Sequence, residues 1–171
     1  MTQAVRAMQA GGPEVLEFGE IETPKPGPGE VLVNVEAAGV NFIDTYRRSG
    51  VYPMEYPHVV GVEGTGYIAE VGEGIESWQV GDRVAWHEGP GSYATQVVVK
   101  SDFLLRVPEG VSAEVAAAMP LQVLTAQYLA TSSHEIKPGQ TALVHAGAGG
   151  VGLLLTQIIK HLGGNVISTV S

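Results

Sequence analysis

The stretch VHAGAGGVGLLLTQIIKHLGGNVISTVS, Val144 to Ser171, decides how the rest of the chain is read. Residues 142–145 read as a short buried strand, 151–162 as an amphipathic helix and 166–170 as a second apolar strand. Between the first strand and the helix, Gly147-Ala148-Gly149-Gly150-Val151-Gly152 fits G-x-G-x-x-G. The pattern alone is weak; placed between a strand and a helix it is the context that the dinucleotide fingerprint requires. There the glycines allow a tight turn, close backbone approach to a pyrophosphate and close helix–strand contact. The helix N-terminus also turns unpaired N–H groups toward a phosphate. The competing reading is a glycine-rich turn that holds no ligand.

The 171 residues suffice for one sizeable domain or two small ones. Hydrophobic residues make up 44% and charged residues 16%, a globular balance. With 18 acidic and 9 basic residues the formal net charge is -9, which argues against nucleic-acid or anionic-membrane partners. No run is long enough to cross a bilayer, and MTQAVRAMQAGG lacks the apolar segment of a signal peptide, so a cytoplasmic location is expected. Cysteine is absent, which excludes disulfides, thiolate-ligated zinc and a catalytic cysteine. The five histidines (58, 87, 134, 145, 161) show no ligand spacing, and no metal site is expected.

Upstream of the opening stretch the chain reads as β structure. Strands are expected at 5–9, 15–18, 31–37, 80–86 and 92–99, with a Pro/Gly-rich turn at 23–30. The segment from Ala37 to Gly61 carries Asn41, Asp44, Tyr46 and Tyr52 with little periodicity, and is read as a loop with a short helix at 42–48. Either it is functional, as polar loops on a β scaffold often are, or its tyrosines cover an apolar edge. A second glycine pattern, Gly64-Thr65-Gly66-Tyr67-Ile68-Ala69, leads into residues that alternate at strand period. No helix starts there, so its glycines are read as β-turns and close backbone contacts. Ser112 is a candidate N-cap for a helix through AEVAAAM, Pro120 breaks it, and a second helix is expected at 121–131. The change from all-β to βαβ character falls between residues 110 and 125.

These pieces together resemble the quinone oxidoreductase (zeta-crystallin-like) branch of the zinc-independent medium-chain dehydrogenase/reductase superfamily. The resemblance rests on NFIDTYRRSGVYP, GVEGTGYIAEVGEG, VGDRVAW, AAAMPLQVLTAQYL and VHAGAGGVGLLLTQIIK, in order along nearly the whole chain. It implies an α/β fold with a β-barrel: a GroES-like catalytic domain (1–120), followed by the first βαβ unit of a Rossmann domain (121–171), apparently truncated. It also implies NADPH-dependent reduction of quinones or conjugated carbonyls and, at full length, a homodimer. Where the superfamily's zinc enzymes carry a cysteine and a histidine, this chain has Asn41 and Val62, so zinc chemistry is not expected.

By the same resemblance Asn41, Asp44, Tyr46 and Tyr52 would line the substrate and nicotinamide cleft. Tyr52, or a water held by Asn41, would be the proton donor. Thr125, Gly147, Ala148, Gly149, Gly150, Val151, Gly152 and Ser171, together with Tyr46, would contact the coenzyme. Val123 stands where the family usually has glycine, which bears on substrate size. The second strand ends in Thr169-Val170-Ser171, with no carboxylate to repel a 2′-phosphate, which favours NADPH over NADH. Two other readings stay open: an alkenal or enone reductase, and a non-catalytic structural or binding fragment. An uncovered parallel strand would expose apolar surface, so the chain is expected to be a partial one or to depend on a partner segment.

Overall fold

In the computed structural model, residues 1–170 are described. The chain divides into two units, Met1–Ala118 and Met119–Ser171.

The first unit is built on β-branched alternation. Val31, Val33, Val97, Val99, Val84 and Ile68 all point to one side, and that side is the core around fully buried Trp86. Their strands form a five-stranded antiparallel sheet in the order β7 (Gln96–Lys100), β3 (Glu30–Gly39), β5 (Glu63–Val71), β6 (Arg83–Trp86), β8 (Leu104–Arg106). A second sheet has β1 (Thr2–Ala7) between β2 (Leu16–Ile21) and β4 (His58–Val59). Backbone bonds from residues 93–95 join the two sheets: Val5 N–H to Tyr93 O, Thr95 N–H to Gln3 O, and Val35 N–H to Thr95 O. The pairing of β3 with β5 shifts register between Leu32 and Val33 and again between Val35 and Ala37. Helix α1 (Phe42–Ser49) follows β3, and α2 (Ala113–Ala118) packs on β3 and β5.

The second unit opens with α3 (Pro120–Tyr128), which runs into a π turn over Leu129–Ser133. Then come β9 (Thr141–Val144), α4 (Gly150–His161) and β10 (Asn165–Ser168), with β9 and β10 paired in parallel. Ala130, Val144 and Ile159 form its core, while Leu143 and Ile167 are 60% and 61% exposed on the sheet.

Several expected boundaries move, each for a local reason. The first strand is Thr2–Ala7 rather than 5–9, because Gly11, Gly12 and Pro13 start a 3-10 turn that displaces the second strand to Leu16–Ile21. The strand expected at 80–86 begins only at Arg83, after a turn at Gly81, and that expected at 92–99 begins at Gln96, because residues 93–95 bond to both sheets. Pro120 ends α2 but is itself the first residue of α3, the one position where its missing N–H costs nothing. Gly64 and Gly66 are not turn residues: they lie within β5, where a side chain would run into the Trp86 ring and the Asn34 carbonyl.

Trp86 shows how the core handles its one polar atom. Its Nε1–H donates to Ser92 Oγ at 2.8 Å, and that hydroxyl donates onward to Gly89 O at 2.5 Å. Both residues are 0% exposed. Ser92→Ala strands a buried indole N–H, and we expect it to lower stability by ~1–3 kcal/mol in chemical denaturation. An unchanged midpoint would show that the hydroxyl is not satisfying the indole.

Candidate functional site

The short helix α1 is held at its start by its own capping residues and at its end by Tyr56. At its start, Asn41 is the N-cap, and the Asp44 carboxylate reaches back to accept Asn41 N–H at 2.9 Å. At its end Gly50 takes the left-handed conformation (φ 79°), and Tyr56 O–H donates to Arg47 O at 2.8 Å with Arg48 O at 3.2 Å. Two polar caps on an eight-residue helix matter because so short a helix is marginal by itself.

Beneath the N-terminus of α1 lies a buried polar network. Asn41 Nδ2 donates to Glu63 Oε2 at 2.7 Å, and Tyr93 O–H donates to Asp44 Oδ2 at 2.8 Å. Glu63 is 0% exposed, while Asp44 and Asn41 are 8% and 9% exposed. Gly39, opposite Glu63 in the β3–β5 register, leaves the room: a Cβ there would strike the Glu63 carboxylate and the Ala117 carbonyl. Burial, the hydrogen bond to Asp44, and then the Asp44 and Glu63 charges all push the Tyr93 hydroxyl well above the usual tyrosine range.

Of the four side chains expected in a substrate cleft, Asn41 and Asp44 meet in this network. Tyr46 and Tyr52 do not join it. They stand at the surface, 39% and 49% exposed, with their rings edge-to-face at 5.7 Å. Phe42 packs edge-on to Tyr46 at 5.3 Å and is itself 75% exposed, giving an aromatic patch on α1. Sequence reasoning assigned no role to Glu63 or Tyr93. The signal for Glu63 was on view: a carboxylate set between glycines in the apolar run VVGVEGTG. Tyr93 carried none, since nothing local marks a partner 49 residues away.

In the second unit the glycine turn closes between β9 and α4. Gly149 is the N-cap of α4, and the first intrahelical bond runs from Leu153 N–H to Gly149 O. The N–H groups of Gly150, Val151 and Gly152 therefore precede the helical ladder and point out of its N-terminus. Each neighbouring glycine is crowded for a different reason. A Cβ on Gly147 would meet Ser168, on Gly150 the Gln122 amide, and on Gly152 the Ala146 carbonyl. Ala146 sits at φ 52°, an uncommon conformation for alanine, and Ala148 lies in the turn that follows. Thr169 clasps this bend. Its Oγ1 accepts Ala146 N–H at 3.3 Å, its carbonyl accepts Gly147 N–H at 2.9 Å, and His145 Nδ1 lies 3.2 Å from the hydroxyl. A groove of about 420 Å³ runs along the turn between Leu143 and Leu155. Thr125 lies on α3 with its hydroxyl donated to Leu121 O at 2.7 Å. Ser171 lies outside the described residues.

With this geometry in hand, the comparisons with known proteins are specific. The profile of the alcohol dehydrogenase GroES-like domain matches residues 27–109. A quinone oxidoreductase of Pseudomonas aeruginosa is 45% identical over all of this chain and 53% of its own length. Over the part it spans, the chain belongs to the quinone oxidoreductase family. A 2-haloacrylate reductase of a Burkholderia species is 38% identical, covering the whole chain and 54% of the relative. A solved mycobacterial structure complexed with NADPH superposes with a TM-score of 0.97 at 48% identity, again over the whole chain and 52% of the neighbour. The chain thus spans about half the length of the relatives it matches. Its first unit carries the family's GroES-like barrel and its second the opening βαβ of the Rossmann fold. Among the described residues, no helix is long and apolar enough to cross a membrane.

The Tyr93–Asp44 bond has a pH signature. The folded state raises the tyrosine above its unfolded value of about 10, so the stability it contributes is complete below that pH and is lost as pH rises beyond it. We expect Tyr93→Phe to lose ~1–3 kcal/mol at neutral pH. We also expect its stability to fall less steeply than that of the unaltered chain above pH ~10. Parallel alkaline curves for the two proteins would show that neither burial nor Asp44 raises the tyrosine.

Proposed function

We propose that this chain carries the catalytic barrel and the coenzyme cradle of an NADPH-dependent, zinc-independent reductase of quinones. The observation that supports this best is the second unit's turn. Three helix-start N–H groups, a floor of crowded glycines and the Thr169 clasp form a fixed backbone surface suited to a pyrophosphate. The residues at the end of β10 fit the same coenzyme: Ser168, Thr169 and Val170 include no carboxylate that would repel a 2′-phosphate.

When bound, the reduced nicotinamide supplies a hydride, and the protein's part is position, exclusion of water and one proton. Gly150, Val151 and Gly152 bind the pyrophosphate through their N–H groups. Tyr46 and Tyr52 offer aromatic faces and edges to a planar quinone. The Tyr52 hydroxyl, or a water held by Asn41, donates the proton that completes reduction of the oxygen. Asn41 and Val62 leave no thiolate or imidazole for zinc at those positions, and Asn41 Nδ2 donates to Glu63. Quinones accept hydride without a Lewis acid, which agrees with that donor set. The likeness to a 2-haloacrylate reductase favours one alternative, reduction of a conjugated C=C bond with the same coenzyme.

NADPH oxidation measured against a panel of quinones and enals tests the reading: quinone-dependent turnover is expected, turnover with enals alone transfers the assignment to the alternative, and turnover with neither defeats both. Tyr52→Phe is expected to reduce turnover by roughly 10²-fold if the phenol is the general acid. An unaltered rate would leave the Asn41-held water as the donor. Gly152→Ala forces a methyl against the Ala146 carbonyl, at a cost of ~1–3 kcal/mol. We expect NADPH affinity by calorimetry to weaken between about tenfold and a hundredfold, whereas unaltered affinity would dissociate the turn from coenzyme binding.

A further inference from the structure

Asp44 has two carboxylate oxygens, and the network described above uses one. Oδ2 accepts both Asn41 N–H and the Tyr93 hydroxyl, whereas Oδ1 is buried without a protein partner. A second buried atom in the same state is His58 Nε2. Both residues line one small cavity of about 20 Å³, which Arg47, Met54, Val60 and Pro90 also line.

The chemistry of the two atoms restricts what can satisfy them. His58 Nδ1 lies 3.1 Å from Glu55 O. A carbonyl only accepts, so the ring proton sits on Nδ1 and the neutral ring presents Nε2 as an acceptor. Asp44 Oδ1 is an acceptor as well. Two buried acceptors on residues that line one cavity need two donors, and the smallest molecule that supplies two is water. A cavity needs ~10–15 Å³ of such room to hold one water with two to four polar partners, and this one meets that requirement.

We infer that one buried water molecule is bound in this cavity, donating one hydrogen to Asp44 Oδ1 and the other to His58 Nε2. It completes the Asp44 hydrogen-bond shell and ties β4 to the start of α1. The charges and titratable groups around the ring are Asp44 and Arg47 on α1, with Glu88 paired to Arg47 at 3.9 Å, Glu55 and Tyr56 in the preceding loop, and Arg6 on β1 opposite Val59. The inference rests on the first unit alone, so failure of the coenzyme reading would not touch it, nor would its own failure touch that reading.

Three measurements on the full chain test it. A crystal structure resolving ordered solvent should show a peak within about 2.6–3.2 Å of both atoms; an empty cavity, or a direct Asp44–His58 contact, overturns the inference. Long-range nitrogen–proton NMR of the neutral ring should report hydrogen on Nδ1, and an Nε2–H tautomer overturns it. Hydrogen exchange at the Asn41 and Asp44 amides should accelerate about tenfold in His58→Phe, which cannot bind the water, and stay within about twofold of the unaltered chain in His58→Gln, which can. Equal acceleration in both variants, or none in His58→Phe, overturns it. The first two measurements use the unaltered chain, so a misfolded variant leaves the test intact.

Discussion

Much of the first unit hangs on one buried carboxylate. Asp44 accepts from the first amide of α1 and from Tyr93, and Tyr93 belongs to the segment whose backbone joins the two sheets. Asn41, whose amide N–H Asp44 receives, spends its side chain on Glu63 in the middle of β5. Two acidic groups held out of water are costly unless every lone pair that matters is met by a donor. The short helix, the inter-sheet segment and β5 are therefore constrained together: any movement of α1 away from the barrel uncovers a charge.

That constraint explains the contrast between the site's two kinds of residue. Asn41, Asp44 and Glu63 are locked, and their side chains are largely committed to one another. Tyr46 and Tyr52 ride on the same helix and its following turn, yet they project outward with their rings edge-to-face. Under the proposed function, a rigid base under exposed aromatic faces would position a planar substrate without gripping it. The polar network has the character of a foundation and the tyrosines that of a contact surface, although all were grouped in one cleft on sequence grounds.

How far the sequence revealed this depended on range. The glycine turn was legible because its partners are local: Gly152 is crowded by the carbonyl of Ala146, six residues away. The core strand β3 was legible because Val31, Val33 and Val35 recur at every second position, with Asn34 and Glu36 on the alternate face. Strand ends were not, since the start of β7 at Gln96 is set by residues 93–95 bonding to two sheets, a choice made by tertiary pairing. Glu63 was visible as an anomaly but had no role until Asn41 appeared beside it. Tyr93 and the Thr169 clasp were invisible, because each depends on a partner more than twenty residues off.

The two units also distribute polarity in opposite ways, which bears on what each can do. In the barrel the unusual feature is buried charge balanced by side-chain donors, an arrangement that fixes orientation and holds protons. In the βαβ unit it is unspent backbone: N–H groups at the start of α4 that no carbonyl in the helix can reach. Backbone donors survive every substitution except proline, and they carry no ionisable group, so they suit a ligand that is always anionic, as a pyrophosphate is. Side-chain networks, by contrast, respond to pH and to single substitutions. A hydride-transfer enzyme needs both: one surface that holds the coenzyme whatever the pH, and another that controls where a proton stands. Under the proposed function, the barrel's Asp44 network and the bare amides of α4 would divide the work along that line.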